Sequence, residues 1–181
     1  MLKLAYGNLL TQTKSVNRNG DRLTCVISGS FKFKPEIDQT YDELEDNNIR
    51  VLGPEKGWFA VVRNRIILPQ EFGAVRPLPN ERGMTPAAIE NQFLAQLYIA
   101  NFMYLANFED YVGDMTAFEI GHAMGWKKPI YSHKALDIEY MDKWQDWYPG
   151  DLDLLAEFVR VMPIPEIEEN YHQQPETDYL M

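Results

Sequence analysis

The chain has 181 residues, 45% hydrophobic and 13% aromatic, which fits one globular domain with its own core and excludes a disordered polypeptide. A formal charge of −10, from 17 basic and 27 acidic residues, disfavours a broad nucleic-acid interface, which needs a basic face; a few local donors are still enough for a small phosphate-bearing ligand. A single cysteine, Cys25, excludes an intramolecular disulfide and a cysteine zinc cluster, and no apolar run approaches the roughly 20 residues of a membrane span.

The first 22 residues are polar and carry the turn signal Asn17-Arg18-Asn19-Gly20-Asp21. They read as a peripheral lead-in, and with no long apolar run after Met1 a cytoplasmic protein is expected. Leu23-Thr24-Cys25-Val26-Ile27 is a β-branched run ending at Ser28-Gly29-Ser30, which reads as a buried strand and a tight loop. Lys34 to Asn48 reads as a helix: Pro35 suits its first position, and Ile37, Tyr41 and Leu44 recur at helical spacing. Ile49-Arg50-Val51-Leu52 is the next strand, stopped by Gly53-Pro54. Strand, helix and strand make a βαβ unit and favour a parallel sheet.

Residues 55–84 exceed a minimal connection. Trp58 to Val62 and Arg65 to Leu68 fit a hairpin around Arg63-Asn64, and Pro69, Pro77 and Pro79 mark an irregular segment of the kind that forms functional loops, here a lid. Thr85-Pro86 opens a helix to about Ile99, with Thr as N-cap and Pro at the first helical position. Phe102 to Ala106 is a third buried strand, Thr116 to Gly125 a short helix, and Pro129 to Ser132 a fourth strand. Asp151 to Val161 reads as a last helix, with Leu152, Leu155, Phe158 and Val159 on one face. The tail from Pro163 is acidic and reads as loosely docked or disordered. One domain is therefore expected: a core over 23–162 between a lead-in (1–22) and an acidic tail (163–181).

Two places carry chemistry. Ser28-Gly29-Ser30-Phe31 follows the first strand, where backbone N–H groups and serine hydroxyls can hold an anion, or where the chain simply turns. Its position adds weight, because ligands of open α/β sheets sit at the carboxyl ends of strands. The second is the segment from Asn107 to Ala123, which follows the third strand and enters a helix. Thr116 and Glu119 match a T-x-x-E capping box, in which the glutamate reaches back to its own helix end. Alternatively Glu119 points into the cleft as a nucleophile or base. Asn107 and Tyr111 border the same loop, and Asp114 either contacts a sugar hydroxyl or caps the helix. Arg82 is a phosphate partner or a solvated loop residue. His122 reads as packed structure, since His133 and His172 give no metal spacing. Trp126, Trp144 and Trp147 read as core or subunit-contact residues, and Cys25 as an inert buried thiol.

Tyr111-Val112-Gly113-Asp114-Met115-Thr116-Ala117-Phe118-Glu119-Ile120-Gly121-His122-Ala123, followed by Lys128-Pro129-Ile130-Tyr131, resembles the nucleoside 2-deoxyribosyltransferase superfamily. Members carry a small-residue loop, then E-[IL]-G-x-A, then G-K-P-[IV] leading into a strand. Ile27-Ser28-Gly29-Ser30-Phe31 is similar to the family's first strand and substrate loop. The resemblance implies a flavodoxin-like three-layer α/β sandwich with a mainly parallel central sheet. It also implies cleavage or transfer at the N-glycosidic bond of a (deoxy)nucleoside or nucleotide, as in the related 2′-deoxynucleoside 5′-phosphate N-hydrolases. Glu119 would attack C1′ and displace the base, and a second base or water would resolve the glycosyl-enzyme. Ser28, Gly29, Ser30 and Phe31 would hold the sugar or phosphate end. The loop through Asn107, Tyr111, Gly113 and Asp114 would line the sugar pocket. No cofactor, metal, membrane or nucleic-acid polymer is implied; a homo-oligomer is.

The match departs from the family at one point. Active members carry an Asp on the helix before the third strand, eight positions ahead of an Asp that opens the strand. The strand-opening position, eighteen residues before Glu119, is Asn101, and eight before that stands Phe93. Glu90, one turn earlier on the same helix, either substitutes for the missing acid or is an exposed helix glutamate. Two functions follow: a glycosyl-transferring or hydrolysing enzyme, or a non-catalytic nucleotide- or nucleoside-binding module that has lost the acid expected at Phe93. A weaker third is an assembly protein, from the tryptophan-rich segment 144–148 and the acidic tail.

Overall fold

Residues 22–54, 56, 60–62, 65–67, 84–137 and 158–173 are described by the structure, a computed structural model. Five short runs of apolar residues form the central sheet: β1 (Thr24–Gly29), β2 (Arg50–Gly53), β5 (Phe102–Ala106), β6 (Ile130–Ser132) and β7 (Val159–Val161). Their order is β2-β1-β5-β6-β7, and every neighbouring pair is parallel. Counting these five in chain order gives 2-1-3-4-5, the flavodoxin-like arrangement, whose switch point lies between β1 and β5. The expected hairpin is present as β3 (Ala60–Val62) and β4 (Arg65–Ile67), an antiparallel pair in a sheet of its own.

Alternation along the strands builds two apolar layers, one on each face. Cys25, Ile27, Phe102, Tyr104 and Tyr131 face α1 (Lys34–Asp46) and α4 (Ile164–Gln173), which contribute Ile37, Leu44, Ile164 and Ile167. Val26, Met103, Leu105, Ile130 and Val159 face α2 (Pro86–Ile99) and α3 (Asp114–Gly125), which contribute Leu94, Leu97, Ile120 and Ala123. Both faces are covered, so the molecule is a three-layer α/β sandwich. Burial pushes the Cys25 thiol well above the usual thiol range, which agrees with an inert core sulfur.

The helix ends follow local chemistry. Thr85 caps α2 through its side chain, accepting from the Ala88 N–H at 3.2 Å. At the other end the half-buried Lys128 reaches the carbonyl of Ala100, the C-cap of α2, at 2.6 Å. Asn101 opens β5 as a strand tie: its Oδ1 accepts from both the backbone N–H and the hydroxyl of Thr24 at 2.8 Å, which locks the amino ends of β1 and β5 together.

Two expectations fail at the carboxyl end. The helix predicted to Val161 has given way to β7 by Val159, because the β-branched Val159 and Val161 pair in parallel with Ile130 and Ser132. The tail expected to be loose is α4 as far as Gln173. Ile164, Ile167 and Tyr171 fall on one helical stripe against the sheet, which the acidic composition hid. Residues 1–21, Arg82, Leu152, Leu155 and the segment 144–148 lie outside the described residues. No described helix is long and apolar enough to cross a membrane.

The closest backbone approach near the carboxyl edge predicts a stability contrast. A Cβ on Gly29 would sit 2.9 Å from the Ala106 carbonyl oxygen and 3.1 Å from its Cβ, whereas a Cβ on Gly121 of α3 meets nothing within 4 Å. Gly29→Ala should destabilise by about 1–3 kcal/mol as an overpacking change. Gly121→Ala should stabilise by about 0.5–1 kcal/mol through helix propensity. Urea unfolding of the two variants beside the parent checks both signs.

Candidate active site

Strand parity decides where the first motif points. Val26 lies on the α2–α3 face, so Ser28, two residues on, faces the same way, and Gly29 faces α1, where its missing Cβ would meet Ile37. Ser28 is 1% exposed, and its hydroxyl donates to Glu119 Oε2 in α3, 91 residues away. Glu119 is itself 9% exposed. The contact spans the carboxyl end of β1 beside the switch point, where open α/β sheets bind ligands.

The capping-box reading of Glu119 is therefore replaced. α3 starts at Asp114 with Gly113 as N-cap, three residues earlier than the T-x-x-E spacing predicts, and Thr116 is buried inside the first turn. Glu119 then lies in the second turn, too far into the helix to serve its own end, and its side chain turns to the sheet. Asp114 does not cap; it is exposed in the first turn, where its charge suits the helix dipole.

α2 and α3 pack against one another over the same sheet face. In chain order both begin at the carboxyl edge, so the second turn of each lies at similar depth. Glu119 is in the second turn of α3, and Glu90 is in that of α2. Glu90, Leu94 and Leu97 recur at helical spacing, and the two leucines belong to the apolar cluster that includes Ile120 and Ala123 of α3. Glu90 is half-buried, and its Oε1 is buried without a hydrogen-bond partner. Phe93 packs against this same cluster.

The two carboxyls are held away from ordinary behaviour. Burial pushes Glu119 up to about 8; the charge of Glu90 pushes the same way, and the Ser28 hydroxyl opposes both. Burial also pushes Glu90 up to about 6. Raised carboxyl values at the carboxyl edge of an α/β sheet mark a functional-site candidate on physical grounds.

The remaining predicted site residues divide by what they touch. Ser30 accepts from the Lys32 N–H at 3.3 Å and so caps the single 3-10 turn Phe31–Phe33. The side chain of Phe31 lies outside the described residues. Asn107 is 1% exposed and fully engaged: Nδ2 donates to the carbonyls of Lys134 and Ala135 at 2.8 and 3.2 Å, and Oδ1 accepts from the Lys134 N–H at 3.0 Å. It ties the loop after β5 to the loop after β6. Tyr111 is half-buried, packs edge-on to Phe33 at 6.3 Å, and lies over Gly113, where an added Cβ would sit 3.5 Å from its ring. His122 stacks between Phe118 and Trp126, at 4.5 and 5.0 Å, as expected of a packed histidine. Among the described residues no group of three His, Cys, Asp or Glu side chains could hold a metal ion.

An aromatic band that the sequence pattern did not single out lies just past the carboxyl ends of the strands. Phe33 meets Phe108 at 5.9 Å, and Phe108 meets His133 at 4.6 Å. Beside it Glu109 and Asp110 both take positive φ, 52° and 58°, and pair with Lys32 at 2.9 Å and Lys134 at 3.7 Å. The signal was available: an aromatic ring stands within four residues of the ends of β1, β5 and β6.

No family model matches the chain, and no curated protein matches it. Among solved structures it is similar to a conserved protein from Enterococcus faecalis V583, at 13% identity and a TM-score of 0.44, over 84% of this chain and 98% of that one. The functional reading accordingly rests on the residues of the site.

The raised Glu119 carboxyl gives a signed pH dependence. Its ordinary value is 4.5, so between that and about 8 the folded protein binds more protons than the unfolded chain. This contribution is full below the ordinary value and is lost as pH rises through about 8. Glu119→Gln mimics the protonated acid and keeps an acceptor for Ser28. It should change stability little at about pH 5 and stabilise the protein at about pH 9, as read by denaturant titration at both.

Proposed function

We propose that the chain cleaves or transfers at the N-glycosidic bond of a (deoxy)nucleoside or nucleotide, with Glu119 as nucleophile. The observation that carries this reading is the Ser28–Glu119 contact: a buried carboxylate leaves its own helix end and lies against the end of β1. A carboxylate so placed can meet the oxocarbenium-like C1′ of a sugar and divide one displacement into two. Forming the Glu119 oxygen–C1′ bond breaks the C1′–N bond; water or a second base then displaces Glu119. Ser28 orients the attacking carboxylate. Gly29 lets β1 approach β5, and Asn107 fixes the loop that borders the sugar pocket. The half-buried rings of Phe108 and Tyr111 offer flat apolar surface to a base.

A second reading has its own observation. Phe93 stands where the resembling family carries an acid and packs into the apolar cluster, which favours a nucleoside- or nucleotide-binding module without turnover. Incubating the protein with deoxynucleosides and their 5′-monophosphates, with and without a free acceptor base, separates the two. Base released without an acceptor is hydrolysis; a new nucleoside formed only with one is transfer. Glu119→Ala should lose at least about 10³-fold in either activity, as for removal of a nucleophile. Activity that survives the substitution removes the assignment. Binding without product, retained in Glu119→Gln by calorimetry, supports the module instead.

The resemblance also implies a homo-oligomer, and the exposed side chains of Met115 and Phe118 on α3 and Tyr98 on α2 supply apolar surface for one. Light scattering should give more than the monomer mass, and Phe118→Glu should lower it.

A further inference from the structure

We infer that Glu90 and Glu119 work as one unit holding a single proton, with Glu90 the carboxyl that delivers it to the departing base. This deepens the proposed function and rests on it for the catalytic half. The placement is specific to this chain. Glu90 occurs one turn before the position where the resembling family carries its acid, and that position is filled by Phe93.

Three observations support the unit. Glu90 and Glu119 stand in the second turns of two helices packed side by side over one face of the sheet. Glu90 Oε1 is buried and has no hydrogen-bond partner, which a lone structural carboxylate in an apolar layer would not tolerate without cost. Glu119 has one oxygen engaged by Ser28. The neighbouring groups are then few. Ser28 is the polar group from β1, and Glu90 is the charge from α2 that acts on Glu119. On α3 itself Asp114 is exposed and His122 is held in the Phe118–Trp126 stack. Among the described residues no cation pairs with either carboxyl, so two negative charges here repel without compensation. One proton relieves that repulsion.

The chemistry needs the same stoichiometry. Attack requires Glu119 ionised; departure of a purine requires a proton on its ring nitrogen. The single proton rests mainly on Glu119, the more strongly raised of the two; in the minor form that carries it on Glu90, the Glu119 oxygen bonds to C1′, the C1′–N pair leaves with the base, and the Glu90 proton passes to the base nitrogen. Glu90, now ionised, takes a proton from the incoming water, whose oxygen bonds to C1′ as the Glu119–C1′ bond breaks. The unit returns with the one proton it started with. Both carboxyls protonated leaves no nucleophile, and both ionised leaves no acid. Activity is therefore bell-shaped, with limbs near the values to which burial pushes the two groups, about 6 and about 8.

Two measurements on the full chain test this and separate its failure from that of the proposed function. Carbon-detected titration of the glutamate carboxyls in the parent and in Glu90→Gln needs no turnover. The Glu119 midpoint should fall when the neighbouring charge is removed; an unmoved midpoint overturns the shared proton. Base release from a purine deoxynucleoside, compared with a 4-nitrophenyl 2-deoxyriboside, tests the acid. Glu90→Gln should slow the purine by about 10²–10⁴-fold and the nitrophenyl substrate, whose leaving group needs no proton, by far less. Equal losses on both, or a parent inactive on both, overturn the acid role. In the second case the proposed function falls with it, while the titration still decides the pair.

Discussion

At its carboxyl end the β1–β5 pair is so close that a hydrogen is the only substituent Gly29 can carry against the Ala106 carbonyl, and the geometry of the site depends on this. The close pairing keeps β1 in register to its last residue, with Ser28 opposite Leu105 and Gly29 opposite Ala106. Register fixes parity, and parity sends the Ser28 hydroxyl to the α2–α3 face rather than the α1 face. A slip of one residue would bury that hydroxyl against Ile37 and take the Ser28 hydrogen bond away from Glu119. The other end of the pair is pinned as well, where Asn101 bonds Thr24 through main chain and side chain. The strand-opening residue thus serves the site at a distance, by holding β1 and β5 together along their length.

Against this frame the carboxyls are a local conflict. The layer between the sheet and the α2–α3 pair is built on an apolar cluster that includes Val26, Leu94, Leu97, Met103, Leu105 and Ile120. Two acids at its carboxyl edge cost desolvation and mutual repulsion, and apolar side chains of similar volume would relieve both. Places where every other level of the sequence agrees and one local choice opposes folding are where function is expected. The Lys34–Asp38 pair on α1 makes a useful contrast: there a buried cation and a nearby carboxylate compensate one another, and nothing is left unsatisfied.

The sheet and the first three helices were legible because each carried a local signal that tertiary packing did not contradict. Pro35 and Thr85-Pro86 marked helix starts, and β-branched or aromatic runs marked β1, β2, β5 and β6. The carboxyl end was misread for two physical reasons. Phe158 and Val159 satisfy a helical stripe with Leu152 and Leu155, yet Val159–Val161 also fits a strand, and pairing with β6 decides between them. Past Pro163 the charge count pointed to a loose tail, although three well-spaced apolar residues suffice to dock a helix. At the site, Gly113, Asp114 and Thr116 are all acceptable helix openers within four positions. The choice of Gly113 moved Glu119 from a cap to a side chain deep in the second turn. What the sequence could not show is which face Glu90 takes, since that depends on where α2 lies over the sheet.

The position of Glu90 also bears on why Phe93 need not end the chemistry. Residues three apart on a helix share a face, and the earlier one lies nearer the amino end, here the carboxyl edge of the sheet where substrate would enter. Moving the carboxyl one turn outward lets an aromatic ring close the apolar layer beneath it. A glutamate has one methylene more than an aspartate with which to span the added distance. The exchange keeps a carboxyl near enough for its charge to act on Glu119, while Phe93 packs into the apolar cluster. If the chemistry proposed above holds, the departure from the resembling pattern at Phe93 is a relocation of the carboxyl by one helical turn and not its loss.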